Sequence, residues 1–136
     1  MNTTELKNII LEQEKVIKEL DLGTARTQLA TVEKYITNQQ VVVITGIRRG
    51  GKSTLLAQIM HKFYPHGHDV YYLNFEDERL LNFQVDDFNH LYETFVELYG
   101  ERKVFFFDEI QNVLQWEAFV RRMQDNGYKF FIMIFG

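Results

Sequence analysis

The chain has 136 residues, 46% of them apolar and 25% charged, the make-up of one globular domain rather than a disordered chain. Its 15 Lys and Arg against 19 Asp and Glu give a net charge of −4, which excludes a broadly basic nucleic-acid binder. With no cysteine, disulfides, thiolate metal sites and cysteine nucleophiles are excluded.

In chain order, Leu6, Ile9, Ile10, Ile17 and Leu20 recur at helical spacing, with Thr3 or Thr4 as the cap and Gly23 as the stop. Thr24 then caps a second helix carrying Ala25, Leu29, Val32 and Ile36 on one face. Residues 1–40 are therefore expected as a helical segment packed on the core formed by residues 41–136. Val41-Val42-Val43-Ile44 is the short β-branched run of a strand buried on both faces. After the glycines at 46, 50 and 51 comes a helical pattern with Leu55, Leu56, Ile59 and Phe63, closed by Pro65 and Gly67. Val70 to Phe75 reads as the second strand, residues 86–99 as a helix, and Val104 to Phe107 as a third, buried strand. Trp116, Phe119, Val120 and Met123 mark a further helix anchored in the core, and Phe130 to Phe135 a fourth strand. Strands alternating with helices predict an α/β fold with a parallel sheet over residues 41–136, covered on both faces. Because the chain stops at Gly136, straight after its most apolar strand, it is expected to be a fragment of a longer protein.

No apolar run approaches the ~18 residues of a membrane helix. The first twenty residues carry four acidic and three basic side chains and no apolar leader. The expectation is a cytoplasmic protein without membrane contact.

Gly46-Ile47-Arg48-Arg49-Gly50-Gly51-Lys52-Ser53 matches the phosphate-loop pattern GxxxxGK[ST] in full, between a buried strand and a helix. Glycines let successive backbone N–H groups turn toward an anion, and the helix N-terminus adds its dipole. Lys52 is suited to the β- and γ-phosphates and the Ser53 hydroxyl to Mg²⁺. Asp108-Glu109 closes the third strand, where one acid suits Mg²⁺ and the next suits activation of an attacking water. A second acid is needed when the nucleophile is water, so the pair favours hydrolysis over transfer to a substrate hydroxyl.

GIRRGGKSTLL, NFED and FFFDEIQNVLQWEAFVRRMQD together resemble the prokaryotic AAA-superfamily P-loop ATPases, whose AAA domain is followed by a separate, nuclease-like C-terminal domain. The resemblance covers roughly residues 24–136. It implies an AAA-type core with the third strand between the second and the fourth, and ATP with Mg²⁺ as cofactors. It also implies Gly46, Arg49, Gly50, Gly51, Lys52, Ser53 and Thr54 as nucleotide-binding residues and Ser53 and Asp108 as metal ligands. Glu109 and Lys52 would then be catalytic. The lid and the C-terminal domain would lie outside this chain, and a protein partner or self-association would act through that region. Asn74, at the end of the second strand, would stand beside the acid pair and restrain Glu109.

The remaining polar groups carry weaker signals. Glu76-Asp77-Glu78 is a solvated loop before it is an extension of the acidic site. Arg48 and Arg49 face phosphate, a neighbouring subunit or solvent. Arg121-Arg122 is a surface pair, and His66-Gly67-His68 lacks the neighbouring ligands a metal site needs. The expected function is ATP hydrolysis. Its alternatives are a nucleotide-dependent switch or scaffold with little turnover, a kinase-like phosphotransferase, and a nucleic-acid-dependent motor, which this segment's charge does not support.

Overall fold

The computed structural model describes residues 1–23, 28–45 and 49–134; at residues 28 and 49–53 it describes the backbone alone. Helix α1 (Thr3–Glu19) is capped by Asn2 rather than by a threonine. The Asn2 Oδ1 accepts from the Glu5 N–H at 2.8 Å, satisfying one of the orphan donors of the first turn. Thr3 is already helical, and its hydroxyl pairs with the His90 ring at 2.9 Å. Helix α2 (Gln28–Glu33) is shorter than the spacing suggests. Thr24 and Ala25, expected at its start, lie outside the described residues.

Four strands follow, β1 (Val42–Thr45), β2 (Val70–Asn74), β3 (Val104–Asp108) and β4 (Lys129–Ile134). Between them run α3 (Arg49–Phe63), α4 (Phe88–Tyr99) and α5 (Trp116–Asp125). All pairings are parallel, in the order β1-β4-β3-β2. This is the expected α/β parallel-sheet core, with β3 between β2 and β4 as the resemblance implies. Alternation along the strands gives the sheet two apolar faces. Phe105, Phe107, Phe130 and Ile132 face α4, α5 and the first half of α1, with Phe105 stacked on Phe130 at 4.7 Å. Phe106, Phe131 and Met133 face α2 and α3, with Phe106 stacked on Phe131 at 4.6 Å. The helix expected at 86–99 begins at Phe88. Residues 85–87 form a tighter turn instead, in which Asp87 Oδ2 accepts from the Gln84 N–H at 2.9 Å.

β1 departs from the expected burial on both faces. Among the described residues it pairs with β4 alone, at the edge of the four-stranded sheet, and Val43 is 48% exposed while Val42 and Ile44 pack against the α3 side. The opposite edge, β2, is covered by α1. Leu6, Ile9 and Ile10 join one face of the sheet and Ile17 the other, so α1 straddles that edge. At the crossing point Gln13 acts as an extra peptide unit: its Oε1 accepts from the Asn74 N–H at 2.7 Å and its Nε2 donates to the Asn74 carbonyl at 3.0 Å. An edge strand presents unpaired backbone groups, and this carboxamide pairs two of them.

The segment joining α2 to β1 is held by one buried cation. Lys129, 7% exposed, donates through Nζ to the carbonyls of Tyr35 at 2.6 Å, Asn38 at 3.0 Å and Gln40 at 2.5 Å, and to Asn38 Oδ1 at 3.2 Å. Burial holds its ammonium below the ordinary lysine value, and the four oxygens offset that cost. Lys129→Met removes the donors and leaves the carbonyls of Tyr35, Asn38 and Gln40 without the ammonium that pairs them. It is expected to lower stability by about 1–3 kcal/mol in chemical denaturation, the cost of unmet buried hydrogen bonds. A change within about 0.5 kcal/mol, the scatter of surface substitutions, would refute this clamp.

Candidate functional site

Because all four strands are parallel, their carboxyl ends share one edge of the sheet, and ligands of open α/β sheets gather outside that edge. Thr45, Asn74, Asp108 and Ile134 end the strands there. α3 begins at Arg49, a short step after β1 ends at Thr45, so Gly50, Gly51, Lys52 and Ser53 occupy its first turns. Gly46 and Arg48 lie outside the described residues, as do the side chains of Arg49, Lys52 and Ser53. Thr54 is half-buried in α3, next to the buried Leu55 and Leu56.

The acid pair is the best-defined part of this edge. Asp108 is 2% and Glu109 5% exposed, although carboxylates are seldom so buried without a purpose. Alternation puts Asp108 on the sheet face that carries α3. Its charge, after burial, helps push the Tyr72 hydroxyl above the ordinary tyrosine value. The backbone is pinned from both sides: the Asp108 carbonyl accepts from Phe75 N–H, and Glu109 N–H donates to the Met133 carbonyl, each at 2.8 Å. Glu109 then takes the left-handed conformation, φ 58° and ψ 36°, and turns the chain into a tight turn at Ile110–Asn112. Such a backbone costs a non-glycine residue on the order of 1 kcal/mol, and strain of this kind concentrates at functional sites. The reversal brings Gln111 back onto its neighbour, and Gln111 Nε2 donates to Glu109 Oε2 at 2.5 Å.

Asn74 stands in register with Asp108, beside the acid pair as anticipated. Its Oδ1 accepts from the Glu76 N–H at 2.9 Å, and Gln111 is a side chain bonded to Glu109. Asp77 is a structural acid. Arg79 grips it through Nε at 3.0 Å and NH2 at 2.8 Å and, with Gln13, lowers its carboxyl to about 2. Arg79 also pairs with Glu12 at 2.6 Å, tying this loop to α1. These groups wall a cleft of about 450 Å³ between α1 and the end of β2, where Arg79 faces the carboxylates of Glu12, Glu76, Asp77 and Glu78. Arg121 and Arg122 are exposed on α5, where Arg122 donates to Asn89 Oδ1 at 2.5 Å. Among the described residues no three His, Cys, Asp or Glu side chains assemble as a metal site, His66 and His68 included.

Sequence reasoning missed Gln13, Gln111 and Lys129. Gln13 left a signal, since it falls on the stripe of Leu6, Ile10 and Ile17, where a polar side chain demands a partner. Gln111 left none, because residues two apart meet only through the left-handed turn at Glu109.

A family model described as an AAA domain matches residues 38–136. Uncharacterized protein MJ1544 of Methanocaldococcus jannaschii is 38% identical over 124 residues, covering 90% of this chain and 27% of the relative. Uncharacterized protein MJ1637 of the same organism is 32% identical over 109 residues, covering 74% of this chain and 23% of the relative. The chain thus spans about a quarter of the length of these two relatives. No solved structure matches it. Among the described residues no helix is long and apolar enough to cross a membrane.

Proposed function

Because the chain belongs to the AAA-domain family, we propose that it binds ATP with Mg²⁺ and hydrolyses the nucleotide to ADP and phosphate. The observation that carries this reading is the buried Asp108–Glu109 pair at the carboxyl end of a parallel strand, on the edge where the GxxxxGKS segment enters α3.

Asp108 fits a magnesium ion: it is a hard oxygen donor, almost fully desolvated, at the mouth of the sheet. Mg²⁺ takes one or two protein oxygens, with phosphates and waters supplying the rest. Asp108 and the Ser53 hydroxyl would hold the ion, which neutralises charge developing on the phosphates. The backbone amides of residues 49–53 and the Lys52 ammonium hold the phosphates. Glu109 polarises a water and accepts its proton as the water oxygen bonds the γ-phosphorus. The bond from that phosphorus to the bridging oxygen breaks, and its electron pair leaves with ADP. Most of the rate comes from positioning and charge placement, which the pinned backbone at 108–109 favours.

The test is a calorimetric titration with a non-hydrolysable ATP analogue and Mg²⁺, paired with phosphate release from ATP in the absence of any acceptor. Binding with steady release supports the reading. Tight binding without release would replace it by the nucleotide-dependent switch or scaffold, and release that requires an added hydroxyl acceptor would replace it by phosphotransfer.

A further inference from the structure

We infer that Gln111 is the second residue that orients the attacking water, donating through Nε2 to the Glu109 carboxylate and accepting through Oε1 from the water that Glu109 polarises. This rests on the hydrolytic reading above. A carboxylate accepts hydrogen bonds and donates none, so the 2.5 Å contact requires the amide nitrogen to face Glu109 Oε2. The amide oxygen of the same group must then point elsewhere. That oxygen is buried and has no hydrogen-bond partner among the described residues. A buried acceptor left unmet is destabilising, so a native fold keeps one where a ligand supplies the donor.

The chemistry at this point needs such an acceptor. A water whose lone pair must aim at phosphorus has two protons to place, and Glu109 takes only one of them. An acceptor fixed to the same carboxylate holds the second proton and removes the water's remaining freedom of rotation. The local fold keeps the group in place. Ile110 is fully buried, Asn112 N–H donates to the Glu109 carbonyl at 3.3 Å, and Val113 N–H donates to the Ile110 carbonyl at 2.9 Å. Asn112 Nδ2 reaches the Phe75 carbonyl at 3.4 Å, fastening the turn to the end of β2. Gln111 therefore rides on a turn that is anchored on both sides while its oxygen has no partner among the described residues.

The test uses the full-length protein with Gln111→Met, Glu109→Gln and the double variant. It measures phosphate release across ATP concentrations, analogue affinity and thermal denaturation. Methionine keeps the length and loses both polar ends. Turnover of Gln111→Met is expected to fall by up to about 10²-fold, the effect of a misplaced reactant, with KM and analogue affinity within about twofold of the parent. Its melting temperature is expected to change little, since removal of the unmet acceptor offsets the lost donor to Glu109. The double variant is expected to be no slower than Glu109→Gln, because both residues act on one water. Parental turnover in Gln111→Met beside a slow Glu109→Gln would overturn the Gln111 role and leave the hydrolytic reading standing. Parental turnover in both would overturn the Glu109 role itself. Loss of melting temperature and affinity together with rate, or multiplicative losses in the double variant, would reduce Gln111 to a structural residue.

Discussion

Glu109→Gln is expected to bind ATP as the parent does and to hydrolyse it about 10²–10⁴-fold more slowly, the usual contribution of a positioned general base. The amide keeps the length and one oxygen of the carboxylate but loses the charge that draws a proton from water. Binding is expected to be retained because, on the proposed reading, the phosphates are held elsewhere, by the α3 amides, Lys52 and Mg²⁺. The fold is expected to survive, since residue 109 is fixed through its backbone, by Met133 and the turn at Ile110–Asn112. Asp108→Asn separates the two acids: it is expected to weaken the Mg²⁺ dependence of binding itself, because on the proposed reading that carboxylate serves the ion and not the water. The pair is read by phosphate release and by titrations with and without Mg²⁺. Parental turnover in Glu109→Gln would remove the base and bring the switch reading forward.

Lys52→Ala is expected to abolish measurable nucleotide binding without unfolding the domain. Truncating one member of a close charge pair costs about 2–5 kcal/mol, which is roughly 30- to several thousand-fold in affinity. Stability should change little, because the stripe that seats α3 on the sheet is Leu55, Leu56 and Ile59, all fully buried and all past the phosphate-binding turn. Calorimetry with the Mg²⁺ analogue complex, alongside a thermal melt, measures both. Unchanged affinity would end the assignment of the GxxxxGKS segment to phosphate.

Much of the architecture was legible because it is written in short-range periods. The run Val104 to Phe107 has no polar residue and is buried throughout, as a central strand between β2 and β4 must be. The α5 stripe of Phe119, Val120 and Met123 repeats at helical spacing and packs as that spacing predicts. Val41 to Ile44 has the same composition as a central strand and misled for that reason. Residue chemistry reports that a segment prefers a strand, whereas its place at the sheet edge, which exposes Val43, depends on partners far along the chain. The Asn2 cap was missed because Asn, Thr3 and Thr4 are all good caps, and it is Asn2 whose side chain accepts the Glu5 N–H while the Thr3 hydroxyl pairs with His90.

By itself the sequence determined the alternation of strand and helix, the position of the GxxxxGKS segment at a strand-to-helix junction, and the two acids at the end of a buried strand. Each arises from residues within a few positions of one another, where backbone propensity and side-chain period act directly. Tertiary structure alone decided the pairing of β1 with β4, the Gln13 seal on β2 across 61 residues, and the Lys129 clamp across about 90. It also decided the left-handed turn at Glu109 that delivers Gln111 to the carboxylate. Those features are hydrogen bonds and a strained φ that become favourable only once the sheet has assembled and water has been excluded, so no local pattern encodes them.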